Sequence, residues 1–119
     1  MDLEWIDFSG KEALVGFSSL TISYFYYFKI GSLIVCNFGY DGTSNASTLS
    51  LTLPFPCVSG NDSMCGRVTD NSIAITGLSG RISTGNNSST LNLYKDSNAT
   101  AWTGSGNKVF YAQFFYFTN

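Results

Sequence analysis

The chain of 119 residues has no histidine and few charged residues. Lysine and arginine together number six and aspartate and glutamate eight, so charged side chains form 12% of the sequence, whereas about 25% is usual in soluble domains. The formal net charge is −2, without a basic cluster. Because binding nucleic acid requires many cations to neutralise phosphates, we expect no nucleic-acid partner.

The lack of histidine also removes the usual base for a serine or cysteine nucleophile, and no GxSxG motif is present. The eight acids are scattered, mostly in predicted turns, where turn chemistry accounts for them. A calcium site is conceivable at Asp62 with Asp70, but no ligand-rich pattern separates the two. We therefore expect no enzyme, no catalytic residue, no metal and no cofactor.

Cysteine is scarce and odd in number. Cys57 and Cys65 flank a short segment that a disulfide could close, and Cys36 stands alone. An odd count without repeated spacing argues against a disulfide framework. Three reduced thiols are therefore the favoured interpretation.

Long apolar runs are absent as well. Lys29, Gly31, Ser32 and Asn37 interrupt the richest region, which stays below the roughly 18 residues of a membrane span. The opening MDLEWIDFSG carries acids where a signal peptide carries basic residues. We expect no membrane insertion, and either secretion by another route or a fragment of a longer chain.

The residues that are present indicate strands throughout, in a single domain spanning residues 1–119. Leu49, Leu51 and Leu53 alternate with polar residues, as do Leu91 and Leu93, which is typical of strands with one wet face. Pro54 and Pro56 are expected to stop their strand, Asp41-Gly42 to end another, and 59–71 to form a polar loop. Predicted strands cover 20–30, 32–39, 48–53, 71–78, 89–95 and 107–118. These short strands predict an antiparallel sandwich or jelly roll.

Two of these strands, 20–30 and 107–118, are apolar on both faces and aromatic. One sandwich partner can hide only one face, so we expect a second subunit to cover the other, with three copies around an axis. A lone Lys or Gln is hard to satisfy inside a sandwich but can reach water near an axis. The faces containing Lys29 and Gln113 are therefore assigned to the trimer interface, with residues Phe25, Tyr27, Lys29, Tyr111, Gln113, Phe115 and Phe117.

Trp102 lies in the polar segment SNATAWTGSGN and is the candidate ligand contact. An exposed tryptophan can stack on a sugar ring or form an interface hot spot. The alternative, that Trp102 simply packs in the interior, remains open.

Several short stretches resemble the trimeric C-terminal modules of bacteriophage tail fibres and related virion proteins. They are WIDFS, GFSSLT, YFKIGSLIV, GTSNAS, a strand ending LPF and the closing FYFTN. Such modules are similar to the C1q and tumour-necrosis-factor jelly roll, a tight homotrimer whose two chain ends lie in the inner sheet. The resemblance covers most of the chain, although 57–107 match only in general texture.

The resemblance implies an all-β, antiparallel jelly-roll sandwich that forms a homotrimer. Its implied function is non-enzymatic: a virion fibre tip or appendage, assembled in the host cytoplasm, that contacts other virion proteins and attaches to a host-surface glycan or protein. Two alternatives remain open. One is a carbohydrate-binding module, and the other is a secreted C1q-like trimeric ligand.

Overall fold

The structure of the protein is a computed structural model that describes residues 4–44, 46–75 and 80–119. These residues form ten β-strands and no helix, as their β-branched and aromatic composition predicts. In chain order the strands are β1 (Ile6–Asp7), β2 (Phe17–Ile30), β3 (Leu33–Ser44), β4 (Leu49–Cys57), β5 (Asn61–Met64), β6 (Arg67–Asp70), β7 (Ile73–Ala74), β8 (Arg81–Thr84), β9 (Ser88–Tyr94) and β10 (Asn107–Phe117).

The strands form two antiparallel sheets. One sheet has six strands in the order β1-β2-β3-β10-β6-β7, and the other has four in the order β4-β9-β8-β5. Strand β3 lies between β2 and β10 and pairs with each along most of its length. Both aromatic strands therefore belong to one sheet, and the expectation of an all-β, antiparallel fold is confirmed.

The two sheets share one hydrophobic core, an arrangement consistent with a β-sandwich. Leu49, Leu51 and Leu53 of β4 and Leu91 and Leu93 of β9 are all buried, as their alternation predicts. Each such side chain contributes roughly 1.5–3 kcal/mol when fully buried. The six-stranded sheet adds Phe25, Ile34, Cys36, Phe38, Tyr40, Phe110, Phe114 and Tyr116 to the same cluster.

Strand β4 continues through both of its prolines, so the expectation that Pro54 and Pro56 stop it is wrong. β4 is the edge strand of the four-stranded sheet, and its register with β9 breaks over the segment holding both prolines. Their missing N–H groups therefore leave no ladder bond unmade. Between them, the Tyr116 hydroxyl donates to the Phe55 carbonyl at 2.9 Å.

Strand β3 runs through Asp41-Gly42, where a turn was expected. Gly42 pairs with Leu20 on one side and with Lys108 on the other. A Cβ at Gly42 would lie 2.1 Å from the Ser19 carbonyl oxygen. The glycine thus serves the close approach of β2 rather than a turn.

The expected polar loop 59–71 is also wrong, because it contains β5 and β6. Val68 of β6 is buried, and the strand pairs with β10. Conversely, the expected strand 71–78 is reduced to β7, on which Ile73 is exposed. The remainder of that prediction, residues 76–78, lies outside the described residues.

All three cysteines are free thiols, as expected. Cys36 and Cys57 are buried in the core, and Cys65 is partly buried. Burial raises the pKa of Cys36 and of Cys65 above the ordinary thiol value. Neither of these two side chains is therefore an activated nucleophile.

Candidate functional site

The candidate site is the outer face, defined as the face of β2, β3 and β10 that points away from the core. Antiparallel partners carry their side chains on the same side of a sheet. The register therefore assembles four rows across the outer face. These rows are Tyr24, Gly39 and Tyr111; Tyr26, Asn37 and Gln113; Phe28, Val35 and Phe115; and Ile30, Leu33 and Phe117.

Several large apolar side chains are exposed on this face. Phe115 is 58% exposed and Phe117 49%, while Trp5, beside β1, is 45% exposed. Tyr26 is 36% exposed and Ile30 38%. Because side chains of this size are normally interior, their concentration on one face marks an interaction surface.

Contacts between rings hold these side chains in place. The Trp5 ring meets Phe28 edge-on at 4.8 Å between centroids, and Phe115 meets Phe117 edge-on at 6.2 Å. Tyr24 and Tyr111 stack at 6.3 Å. These geometries are favourable for aromatic pairs, so the surface is preorganised.

The close packing of the two tyrosines depends on Gly39. A Cβ at Gly39 would lie 2.2 Å from the Tyr111 ring and 2.6 Å from the Tyr24 ring. Burial, with a smaller effect from Tyr111, raises the pKa of Tyr24. Tyr24 is therefore neutral at physiological pH.

The centre of the outer face is polar but uncharged. The side-chain amides of Asn37 and Gln113 are adjacent in register and make no hydrogen bond within the part of the chain that the structure describes. Charged residues flank this centre: Asp7 beside Tyr26 and Arg67 in the row of Tyr111. Asp41, two residues beyond Gly39 on β3, accepts a hydrogen bond from the Asn107 amide at 2.9 Å. A centre that lacks charged residues is typical of a protein interface, whose core is depleted of them.

A shallow cavity of about 230 Å³ opens on the outer face and is lined by Trp5, Tyr26 and Asn37. Two aromatic rings form its walls, and the amide supplies one donor and one acceptor. The cavity lies on the β2 side of β3, opposite the exposed rings of β10.

The prediction that the Lys29 face of β2 points outward is wrong. Phe25 is completely buried and stacks on Phe38 at 5.6 Å, and Tyr27 packs edge-on against Phe55 at 5.7 Å. Lys29 shares this inward face but lies one residue before the end of β2, where its ammonium donates to the Gly31 carbonyl. The residue is exposed, and its ammonium lies 5.9 Å from the centroid of the Phe55 ring.

The prediction for β10 has a different outcome. Tyr111, Gln113, Phe115 and Phe117 do lie on the outer face, and the last three are exposed. Their contact with another subunit remains a prediction. The predicted interface did not include Trp5, Tyr26, Ile30 and Asn37. The alternation of β2 contained the signal for two of them, because it places Tyr26 and Ile30 on the face opposite Phe25.

The proposed ligand role of Trp102 is wrong. The indole is 3% exposed, and its Nε1 donates to the Leu93 carbonyl at 2.9 Å. Its ring packs beside Phe110 at 6.3 Å between centroids. With its polar edge satisfied and its faces covered, Trp102 cannot stack on a sugar and serves the core instead.

Asp70 lies at the centre of a buried ionic network. Its carboxylate accepts hydrogen bonds from Lys95 Nζ at 2.9 Å and from the Thr103 hydroxyl at 3.0 Å. Lys108 Nζ lies 3.6 Å away, is completely buried and donates to the Ser105 carbonyl. This network anchors the segment between β9 and β10 to the six-stranded sheet.

The conceivable calcium site at Asp62 and Asp70 is not assembled. Asp62 forms a two-pronged ion pair with Arg81, at 2.8 and 2.6 Å, and belongs to the four-stranded sheet, whereas Asp70 belongs to the other sheet. The hydrogen bond from Arg81 lowers the pKa of Asp62. Among the described residues no group of three metal-ligating side chains occurs.

Comparison with protein-family models, with curated proteins and with solved structures finds no match to this chain. Residues 4–44, 46–75 and 80–119 contain no helix long and apolar enough to cross a membrane.

Proposed function

We propose that the chain is a non-enzymatic structural module that assembles as a homotrimer through the outer face. By its sequence resemblance, the module serves as a fibre tip or appendage of a bacteriophage virion, in contact with other virion proteins. Attachment to a host-surface glycan or protein is part of this proposal and rests on the resemblance alone.

The observation that carries the proposal is the exposed aromatic surface. At about 150–250 Å² per aromatic side chain, the exposed parts of Trp5, Tyr26, Ile30, Phe115 and Phe117 amount to roughly 450 Å². That area alone lies within the 300–600 Å² range of the largest apolar patch on a typical monomer. At about 25 cal/mol per Å² its burial contributes roughly 11 kcal/mol per copy, comparable with the cost of association.

The strand arrangement supports the finer assignment to a C1q-like jelly roll. In that fold the two chain ends lie in the inner sheet, which forms the trimer contacts. Here β1, β2 and β10 share the six-stranded sheet, and its outer face carries the exposed rings. The fit between these two features is the reason for proposing a trimer.

Catalysis is a weaker candidate for the function of this chain. Asp62 and Asp70 are both held in ion pairs with cations, and the sequence has no histidine to act as a base. The exposed sheet face is therefore a better basis for a function than any cluster of reactive groups.

Light scattering coupled to size exclusion tests the proposal at micromolar concentration. The expected mass is about 39 kDa, three times the 12.9 kDa of one chain. The double variant Phe115→Asp/Phe117→Asp should run as a folded monomer, because charge on the outer face disfavours burial. Val15→Asp/Met64→Asp introduces the same two charges at exposed apolar residues beside and on the four-stranded sheet, and this control should remain trimeric.

A monomeric wild-type protein would contradict the trimer. If that monomer bound a glycan array, the carbohydrate-binding alternative would replace the proposal. A trimer that carries N-linked glycans would favour the secreted C1q-like ligand instead.

A further inference from the structure

We propose that Phe115 of one copy inserts into the cavity formed by Trp5, Tyr26 and Asn37 of the next copy. Each copy then contributes both a projecting ring and the cavity that receives it. This inference rests on the proposed function and specifies how its subunits meet.

The sizes of the two features agree. Phe115 is the most exposed of the large apolar side chains on the outer face. The cavity holds about 230 Å³, and an apolar cavity of about 150 Å³ is sufficient for a benzene-sized ring. Trp5 and Tyr26 would flank the inserted ring, and the Asn37 amide could donate to its face.

The positions of Phe115 and the cavity set a condition on a closed ring of subunits. Phe115 shares its register row with Val35 and Phe28, and the Trp5 ring packs on Phe28. The Trp5 wall of the cavity therefore lies at the level of Phe115 along the strands, whereas Tyr26 and Asn37 lie one row away, in the row of Gln113. Since strands are about 4.8 Å apart, β10 and β2 are separated by roughly 10 Å.

The relative height of the Phe115 ring and the cavity matters because the contact joins different patches of identical copies. Such a heterologous contact closes into a ring only if the rotation between copies has no rise along the axis, and otherwise it produces an open filament. Because two of the three residues that line the cavity lie one row from Phe115, about 7 Å along the strands, a closed ring requires the strands to be tilted against the axis so that the Phe115 ring and the cavity reach the same height.

The groups at the centre of the outer face point to a second copy rather than to a charged partner. A rotation axis brings each group near its own duplicates, so charges of one sign would repel. Asn37 and Gln113 each carry a donor and an acceptor and can pair with an identical amide. The nearest charges, Asp7 and Arg67, lie on the flanking strands β1 and β6.

Disulfide trapping tests the contact on the full chain. Cys65 lines a cavity beside Phe115, so the background is Cys65→Ser. Under mild oxidation the double variant Phe115→Cys/Tyr26→Cys should form covalent species up to the mass of three chains. Each single variant should stay uncrosslinked, and so should Phe115→Cys/Ile73→Cys, in which the second thiol is on β7.

Two results would overturn the contact. Dimers formed by Phe115→Cys alone would mean that the ring meets its own duplicate, which is an isologous contact. A trimeric double variant that forms no crosslink beyond the level of the β7 control would place the ring elsewhere.

A double-mutant cycle gives a measurement that does not depend on added thiols. Trp5→Ala and Phe115→Ala should each raise the midpoint of trimer dissociation by about tenfold or more, and the double variant should add little to the larger effect. Additive effects in a trimeric protein would overturn the contact and leave the proposed function standing. A monomeric wild type would overturn both.

Discussion

Replacing Asp70 by asparagine is expected to lower the free energy of unfolding by about 3–5 kcal/mol, the usual cost of removing one partner from a buried ion pair. Asp70 is 4% exposed, accepts a hydrogen bond from Lys95 at 2.9 Å, and is the nearest anion to the fully buried ammonium of Lys108. Asparagine keeps the shape but removes the charge. The Lys108 ammonium would then be buried without compensation.

Urea denaturation followed by tryptophan fluorescence measures this loss, because Trp102 lies in the segment that Asp70 anchors. Protein concentration must be equal in all samples, since association shifts apparent stability. Asp62→Asn is the matched control: its pair with Arg81 is partly exposed, and such pairs contribute about 0–1 kcal/mol. A loss for Asp70→Asn no larger than that of the control would refute the reasoning.

The Asp70 carboxylate also makes the free energy of unfolding depend on pH. Burial raises the pKa of Asp70, but hydrogen bonds from Lys95 and Thr103 together outweigh burial, so the pKa in the folded protein lies below 3.8. For a lowered pKa, the stabilisation is complete above the unfolded value of about 3.9 and is lost as the pH falls through the folded value. The difference between wild type and Asp70→Asn should therefore be constant above about pH 5 and shrink below about pH 4.

Three further changes test other parts of the structure. Trp102→Phe should cost about 1–3 kcal/mol in chemical denaturation, because the buried Leu93 carbonyl loses its donor; an unchanged midpoint would contradict the buried position. Thiol labelling of the native protein should modify Cys65 faster than Cys36, which is completely buried, and the reverse order would be inconsistent with the fold. Gly39→Ala should lower stability by about 1–3 kcal/mol, since its methyl group would displace two tyrosine rings; a thermal melt identical to wild type would contradict that packing.

The sequence predicts the strands with one wet face well, because a polar residue at every second position identifies the solvent side. Leu49, Leu51 and Leu91 are buried for that reason. On β2 both faces are apolar, so the prediction of which face is buried depended on Lys29. A lysine one residue before the end of a strand indicates little about which face is buried.

The predictions for polar segments were also wrong. Segment 59–71 is rich in residues typical of turns. It nevertheless contains two short strands, β5 and β6, which pair with β8 and β10. Local composition did not reveal that pairing, because the partners are distant in the sequence. The cavity at Trp5 likewise requires β1 to lie beside β2, a contact that no spacing in the sequence predicts.

The two prolines of β4 have a consequence for how copies of this protein can accumulate. An unpaired edge strand can pair with strands of further copies without limit, as in amyloid. Pro54 and Pro56 interrupt such an edge on the four-stranded sheet, and the six-stranded sheet terminates in β1 and β7, which are two residues long. Growth by strand addition at the β4 edge is thereby discouraged.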